Sequence, residues 1–224
     1  MMEAAPSALA ARLVEHHRLR RTLFEWMHPQ RLAGVPYAEC VRGREARETA
    51  ALAEAFLDEI GMAAPPLTAF GPPDAALAQL PVRECLTVFR LRALFERVEE
   101  VRAWIDRPRR NLLADWVGPH GVRLLLAPRR ALAGKAAPLT RHRPLDAADG
   151  DALTWLGFRL FERECGWAPD GPLAILQLAM PADASQLALA AGLEGNPGRL
   201  SASRLSMSGS ILSQLPNLFP EWSW

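Results

Sequence analysis

The chain has 224 residues, half of them hydrophobic and 23% charged, with a formal net charge of +1 at pH 7. That length can bury a sizeable core as one domain or two small ones, and so small a net charge excludes a strong field drawing in nucleic acid or an anionic membrane. Cys40, Cys85 and Cys165 are far apart and odd in number, and there is neither a signal-peptide pattern nor an apolar run of roughly 18 residues, so reduced thiols in a cytoplasmic protein that does not span a membrane are expected.

Ser7 can cap a first helix running to His28, where Pro29 ends it. Leu9, Leu13, Leu19, Leu23 and Trp26 or Met27 give its apolar side. Arg12, Arg18, Arg20 and Arg21, with His16 and His17, form a basic face. Glu3, Glu15 and Glu25 dilute that charge, so a solvated face is expected rather than an anion-binding patch. Residues 30–43 read as a loop. A second helix over 44–60 turns Ala46, Ala50, Leu52, Ala53, Phe56, Leu57 and Ile60 inward and stops at Gly61. The proline-rich stretch 64–73 reads as a loop or short linker and a candidate boundary. It suggests either an N-terminal helical subdomain (1–63), a central helical domain (74–195) and a Ser-rich tail (196–224), or one domain over all three.

The centre of the chain is the stretch 81–106. Val82, Leu86, Phe89, Ala93, Leu94, Val98, Val101 and Ile105 recur mostly every three or four residues between Arg and Glu side chains. Pro81 suits a first helical turn and Pro108 forbids continuation. One long helix of roughly 39 Å follows. A second helix over 109–117 buries Leu112, Leu113 and Trp116 and is broken by Gly118-Pro119. A third runs over 121–127 and ends at Pro128. The basic stretch 129–144, which holds Lys135 and His142, reads as a solvated connector.

Asp146 or Asp149 can cap a helix over 147–164. Leu153, Leu156, Leu160 and Phe161 form its stripe, with Trp155 and Phe158 beside it and Gly166 as its stop. Residues 173–181 suit a buried strand by length and a helix by composition, and both remain open. Residues 185–191 form a helical turn or two, and 201–215 a weak helix or a mobile segment. Trp222 and Trp224 either dock back or await a partner. The fold class is mainly α: an irregular multi-helix bundle around the long helix at about 81–106, with Pro/Gly-rich loops.

Reaction chemistry is not evident. His16 and His17 are adjacent on a helix and point apart, so they do not make a metal pair. There is no phosphate-cradling glycine motif and no nucleophile motif. Glu99 and Glu100 read as solvated carboxylates, and Trp26, Trp104, Trp116, Trp155 and Trp167 as core. No enzyme activity, metal or cofactor is expected.

A family resemblance rests on the order of elements. Glu100 to Arg102 lead into Trp104-Ile105-Asp106, then Leu112-Leu113, Val117-Gly118 and Leu124-Leu125. Leu153-Thr154-Trp155-Leu156 follow, and then Leu176 to Pro181. Over roughly residues 80–181 this pattern resembles the SctK (YscK/PscK) family of bacterial type III secretion proteins. The resemblance implies a non-enzymatic adaptor in the cytoplasmic sorting platform. It would connect the cytoplasmic domain of the inner-membrane ring protein SctD to the pod protein SctQ, and so associate with a membrane complex without nucleic acid. A helical secretion chaperone or regulator is the alternative. Within the adaptor reading, Arg107, Arg109 and Arg110 at the helix junction form the expected contact patch, with Trp222 and Trp224 as further protein-binding candidates.

Overall fold

The computed structural model describes residues 8–41, 43–70, 77–127, 144–168, 170–183 and 205–221. Among them α-helices and 3-10 turns carry the chain and no strand occurs, so the fold is mainly α. Two compact units are present: residues 1–82 with 167–182, and residues 83–166 with 183–224.

The first unit contains α1 (Ala8–Arg21), α2 (Leu23–Trp26), α3 (Pro29–Ala33), α4 (Ala38–Val41) and α5 (Ala46–Glu59). The single helix expected up to His28 is interrupted at Thr22. There the hydroxyl donates to the Arg18 carbonyl (3.0 Å), a local bond that competes with helix continuation. His28 then caps α3, its Nδ1 accepting from the Gln30 amide (3.3 Å), with Pro29 in the first turn where no donor is needed. Amphipathic α5 buries Ala50, Ala53 and Leu57. It ends in a left-handed Gly61 (φ 75°): the Met62 amide donates to the Leu57 carbonyl (2.7 Å) and the Gly61 amide to that of Asp58 (3.1 Å). Ile60, expected inward, is 42% exposed because the helix closes one residue before it.

The core of this unit joins Leu23, Phe24, Met27 and Val35 to Ala53 and Leu57, and to Ile175 and Leu178 from the far end of the sequence. Each fully buried leucine contributes about 2 kcal/mol. The segment left open between strand and helix is a 3-10 helix, Ala174–Ala179. It is held by the His28 amide donating to the Leu178 carbonyl (2.9 Å) and by Arg31 donating to the Met180 carbonyl (2.6 Å). The basic face of α1 is only partly solvated. Arg20 is buried, donating to Glu54 (3.0 and 2.6 Å) and to the Met62 carbonyl (3.0 Å).

The second unit contains α6 (Val82–Glu96, apart from Val82), α7 (Val98–Ala103), α8 (Arg107–Leu126), α9 (Gly150–Cys165), α10 (Leu205–Ser213) and α11 (Leu215–Leu218). The expectation of one continuous rod over 81–106 is corrected here. Arg97 leaves the helical region (φ −121°, ψ 27°). Its amide bonds back to the Leu94 carbonyl (3.0 Å), and its own carbonyl accepts from Glu100 and Val101 (3.0 and 3.1 Å), restarting the helix as α7. The late part of α6 is buried nearly all round at Val88, Phe89, Leu91, Ala93, Leu94 and Phe95, whereas α7 buries only Val101. No single apolar stripe therefore runs through both, although the spacing imitates one. The helical course ends at Ala103, because Trp104 is extended (φ −74°, ψ 104°).

Helix α8 behaves as expected at Gly118. That residue is left-handed in φ (φ 68°, ψ 173°) and splits the helix before Pro119. Arg102 of α7 donates to the Leu125 and Ala127 carbonyls (3.3 and 2.6 Å), satisfying acceptors at the C-terminal end of α8. Asp149, not Asp146, caps α9, and left-handed Gly166 closes it. Helices α6 and α9 touch backbone to backbone: a Cβ built on Gly157 would lie 1.7 Å from the Phe89 carbonyl oxygen. Phe158 and Phe161 flank that contact, with ring centroids 5.5 and 5.8 Å from Phe89. The Ser-rich tail does form a helix, α10, which buries Ser208 and Ile211.

Candidate functional site

The junction between α7 and α8 carries the arginines singled out from sequence. Its construction follows from four residues between positions 104 and 108. Trp104 is 4% exposed, its ring 6.2 Å from that of Trp116. Ile105 points outward and is 89% exposed. This overturns its expected place on an inward stripe, because the helix has already ended at Ala103 and the extended step at Trp104 reverses the next side chain. Asp106 then caps α8, its carboxylate accepting from the Arg109 amide (3.0 Å). Pro108 sits in the first turn, where a missing N–H costs nothing.

The three arginines differ in role. Arg109 donates to Asp146 through Nε (2.9 Å) and Nη2 (2.8 Å), reaches Asp106 at 3.4 Å, and lies 6.0 Å from the centre of the Trp104 ring. Its hydrogen bonds to Asp146 raise its pKa, and a guanidinium is a cation in proteins in any case. Arg107 is exposed and Arg110 half-buried, and neither makes an ion pair with another described residue. Asp106, Pro108, Arg109, Leu112 and Asp146 line a shallow open depression. Such a surface has the character of a contact face and lacks the enclosure that a small-molecule site needs.

The supporting shell was not visible in sequence. Asp146 is one of two candidate helix caps in the sequence, with Asp149. It lies instead in a 3-10 turn, Leu145–Ala147, whose buried Leu145 donates its amide to Glu100 (2.8 Å). Glu100, read as solvated, is thus a fixed acceptor, held also by Arg97 (2.9 Å). The signals that could have found the junction are the Asp-Arg-Pro sequence at 106–108, a helix start that makes any apolar residue just before it leave the stripe. Trp222 and Trp224 lie outside the described residues, as do Lys135 and His142.

Among the described residues no cluster of three or more His, Cys, Asp or Glu could hold a metal ion. Cys85 and Cys165 are thiols rather than disulfide partners. No helix among the described residues is long and apolar enough to cross a membrane. In the first unit His16 is buried against Phe70 (centroids 5.3 Å apart, T-shaped), and burial, with Arg20 next, lowers its pKa to about 4.

No curated protein and no solved structure matches the chain. The model of one protein family, bacterial type III secretion protein (HrpB4), matches residues 3–221. The match spans both units and nearly every element described above, and the chain therefore belongs to the HrpB4 family of bacterial type III secretion proteins.

Proposed function

We propose that this protein is a non-catalytic adaptor of the type III secretion sorting platform, working at the cytoplasmic face of the inner membrane. It would link the cytoplasmic domain of the ring protein SctD to the pod protein SctQ. The observation that carries this reading is the family match over residues 3–221, which gives a secretion role to the whole chain rather than to one segment. The resemblance of residues 80–181 to the SctK adaptors narrows that role. The structure is compatible in kind: helices braced by internal ion pairs, with an exposed junction whose residues are held in place. Pull-downs with the purified ring domain and pod protein from the same gene cluster test it. Binding to both is expected. Binding to neither removes the adaptor, and co-purification with a secreted substrate instead would mark a chaperone.

A further inference from the structure

We propose that Ile105, set just before the first turn of α8 that carries Arg107 and Arg110, is a preformed docking knob for a partner protein with an apolar hollow rimmed by carboxylates. This rests on the adaptor reading above and names the chemistry of one of its contacts.

Three observations converge. First, Ile105 is the most exposed of the large apolar side chains among the described residues, at 89%. A β-branched residue so placed gains by being covered. Second, its backbone is pinned on both sides. Trp104 is buried against Trp116 on one side. Asp106 is fixed on the other by capping α8 and by Arg109, which is itself clamped to Asp146 (2.8 Å). A knob held this way loses little conformational freedom on binding, which favours affinity. Third, charge at the junction divides cleanly. Arg109 is matched by Asp106 and Asp146. Arg107 and Arg110 make no ion pair with another described residue, so the face they present is cationic. An anionic rim is its complement. Arg109 is therefore a positioning residue here, and Arg107 and Arg110 make the contact.

The test measures affinity of the full chain for the purified ring domain and pod protein by biolayer interferometry. Ile105→Asp, and separately Arg107→Glu with Arg110→Glu, should each weaken binding to one of the two by about tenfold or more. Val14→Asp, at a side chain 69% exposed in the other unit, should leave both affinities unchanged. Raising salt from roughly 0.05 to 0.5 M should weaken the parent chain more than the charge-reversed variant. Circular dichroism confirms that each variant is folded. If the parent binds and both junction variants bind within about twofold of it, the knob is wrong while the adaptor stands. If the parent binds neither protein, the adaptor reading fails and the knob with it. Self-association that disappears with Ile105→Asp in ultracentrifugation would make a second copy the occupant and overturn the hetero-partner.

Discussion

Arg92 and Glu164 lie 72 positions apart in sequence and meet in the interior of the second unit, with side chains 0% and 3% exposed. Arg92 also donates to Glu96 (2.9 Å) and Ser208 (3.2 Å), and Ser208 in turn donates to Glu164. One guanidinium thereby joins α6, α9 and the tail helix α10. A pair this dry costs several kcal/mol per ion to desolvate and recovers that only through hydrogen bonds such as these.

Removing one partner should therefore hurt far more than removing both. Glu164→Gln leaves a buried guanidinium under-compensated and should cost about 3 kcal/mol in urea unfolding. Arg92→Met combined with Glu164→Met should recover most of that loss. A single-variant loss below about 1 kcal/mol would mean that the site is wet.

The contact of α6 with α9 gives a sharper steric test. Gly157→Ala places a methyl group where the Phe89 carbonyl stands, 1.7 Å away, so the helices must separate. A loss of about 3 kcal/mol or more is expected, against the roughly 1 kcal/mol by which alanine otherwise favours a helix. Gly209→Ala on α10 is the control, because no atom of the described residues lies within 4 Å of a Cβ built there. It should stabilise slightly, and melting temperatures of the two variants should move in opposite directions.

His16 makes the first unit sensitive to acid. Its folded pKa of about 4 lies below the ordinary 6.5, so the unfolded chain takes up the proton first. The stabilising contribution is complete above about pH 6.5 and is lost as pH falls through about 4. Arg20 and His17 add to the lowering that burial causes, while Glu54 and the Pro172 carbonyl oppose it. Between pH 7 and the folded pKa the loss is about 3 kcal/mol at most. His16→Leu should flatten that slope in denaturant titrations at a series of pH values. An unchanged slope would place the titration elsewhere.

Much of the fold was legible because local chemistry and tertiary packing agree. Gly61, Gly166 and the Gly118-Pro119 step act where their backbone preferences said they would. Leu153, Leu156, Leu160 and Phe161 form the buried stripe of α9. The rod at 81–106 misled because apolar spacing cannot register an irregular residue such as Arg97, which carries neither proline nor glycine as a marker. Ile105 followed that error outward. Residues 174–179 could not be assigned from sequence because their partners, His28 and Arg31, lie about 150 positions earlier. Arg107, Arg109 and Arg110 were singled out from sequence as neighbours, but the clamping of Arg109 alone depends on Asp146, which is 37 positions away from it.

The cap at the junction should be separable from the docking face. Asp106→Ala removes the acceptor for the Arg109 amide and should cost about 1 kcal/mol of stability. If the junction must be rigid to bind, it should also slow association with the partner. Stopped-flow mixing checks this, with Arg107→Ala as the variant that alters charge while leaving the cap intact.

The most direct measurement is bridging. Immobilised cytoplasmic domain of the ring protein is incubated with the pod protein, with and without this chain. An adaptor predicts that the pod protein is retained only when the chain is present, in proportion to the chain bound. Pod protein retained equally in its absence, or not retained even when the chain is bound, would contradict the proposal that this helical protein holds the two together.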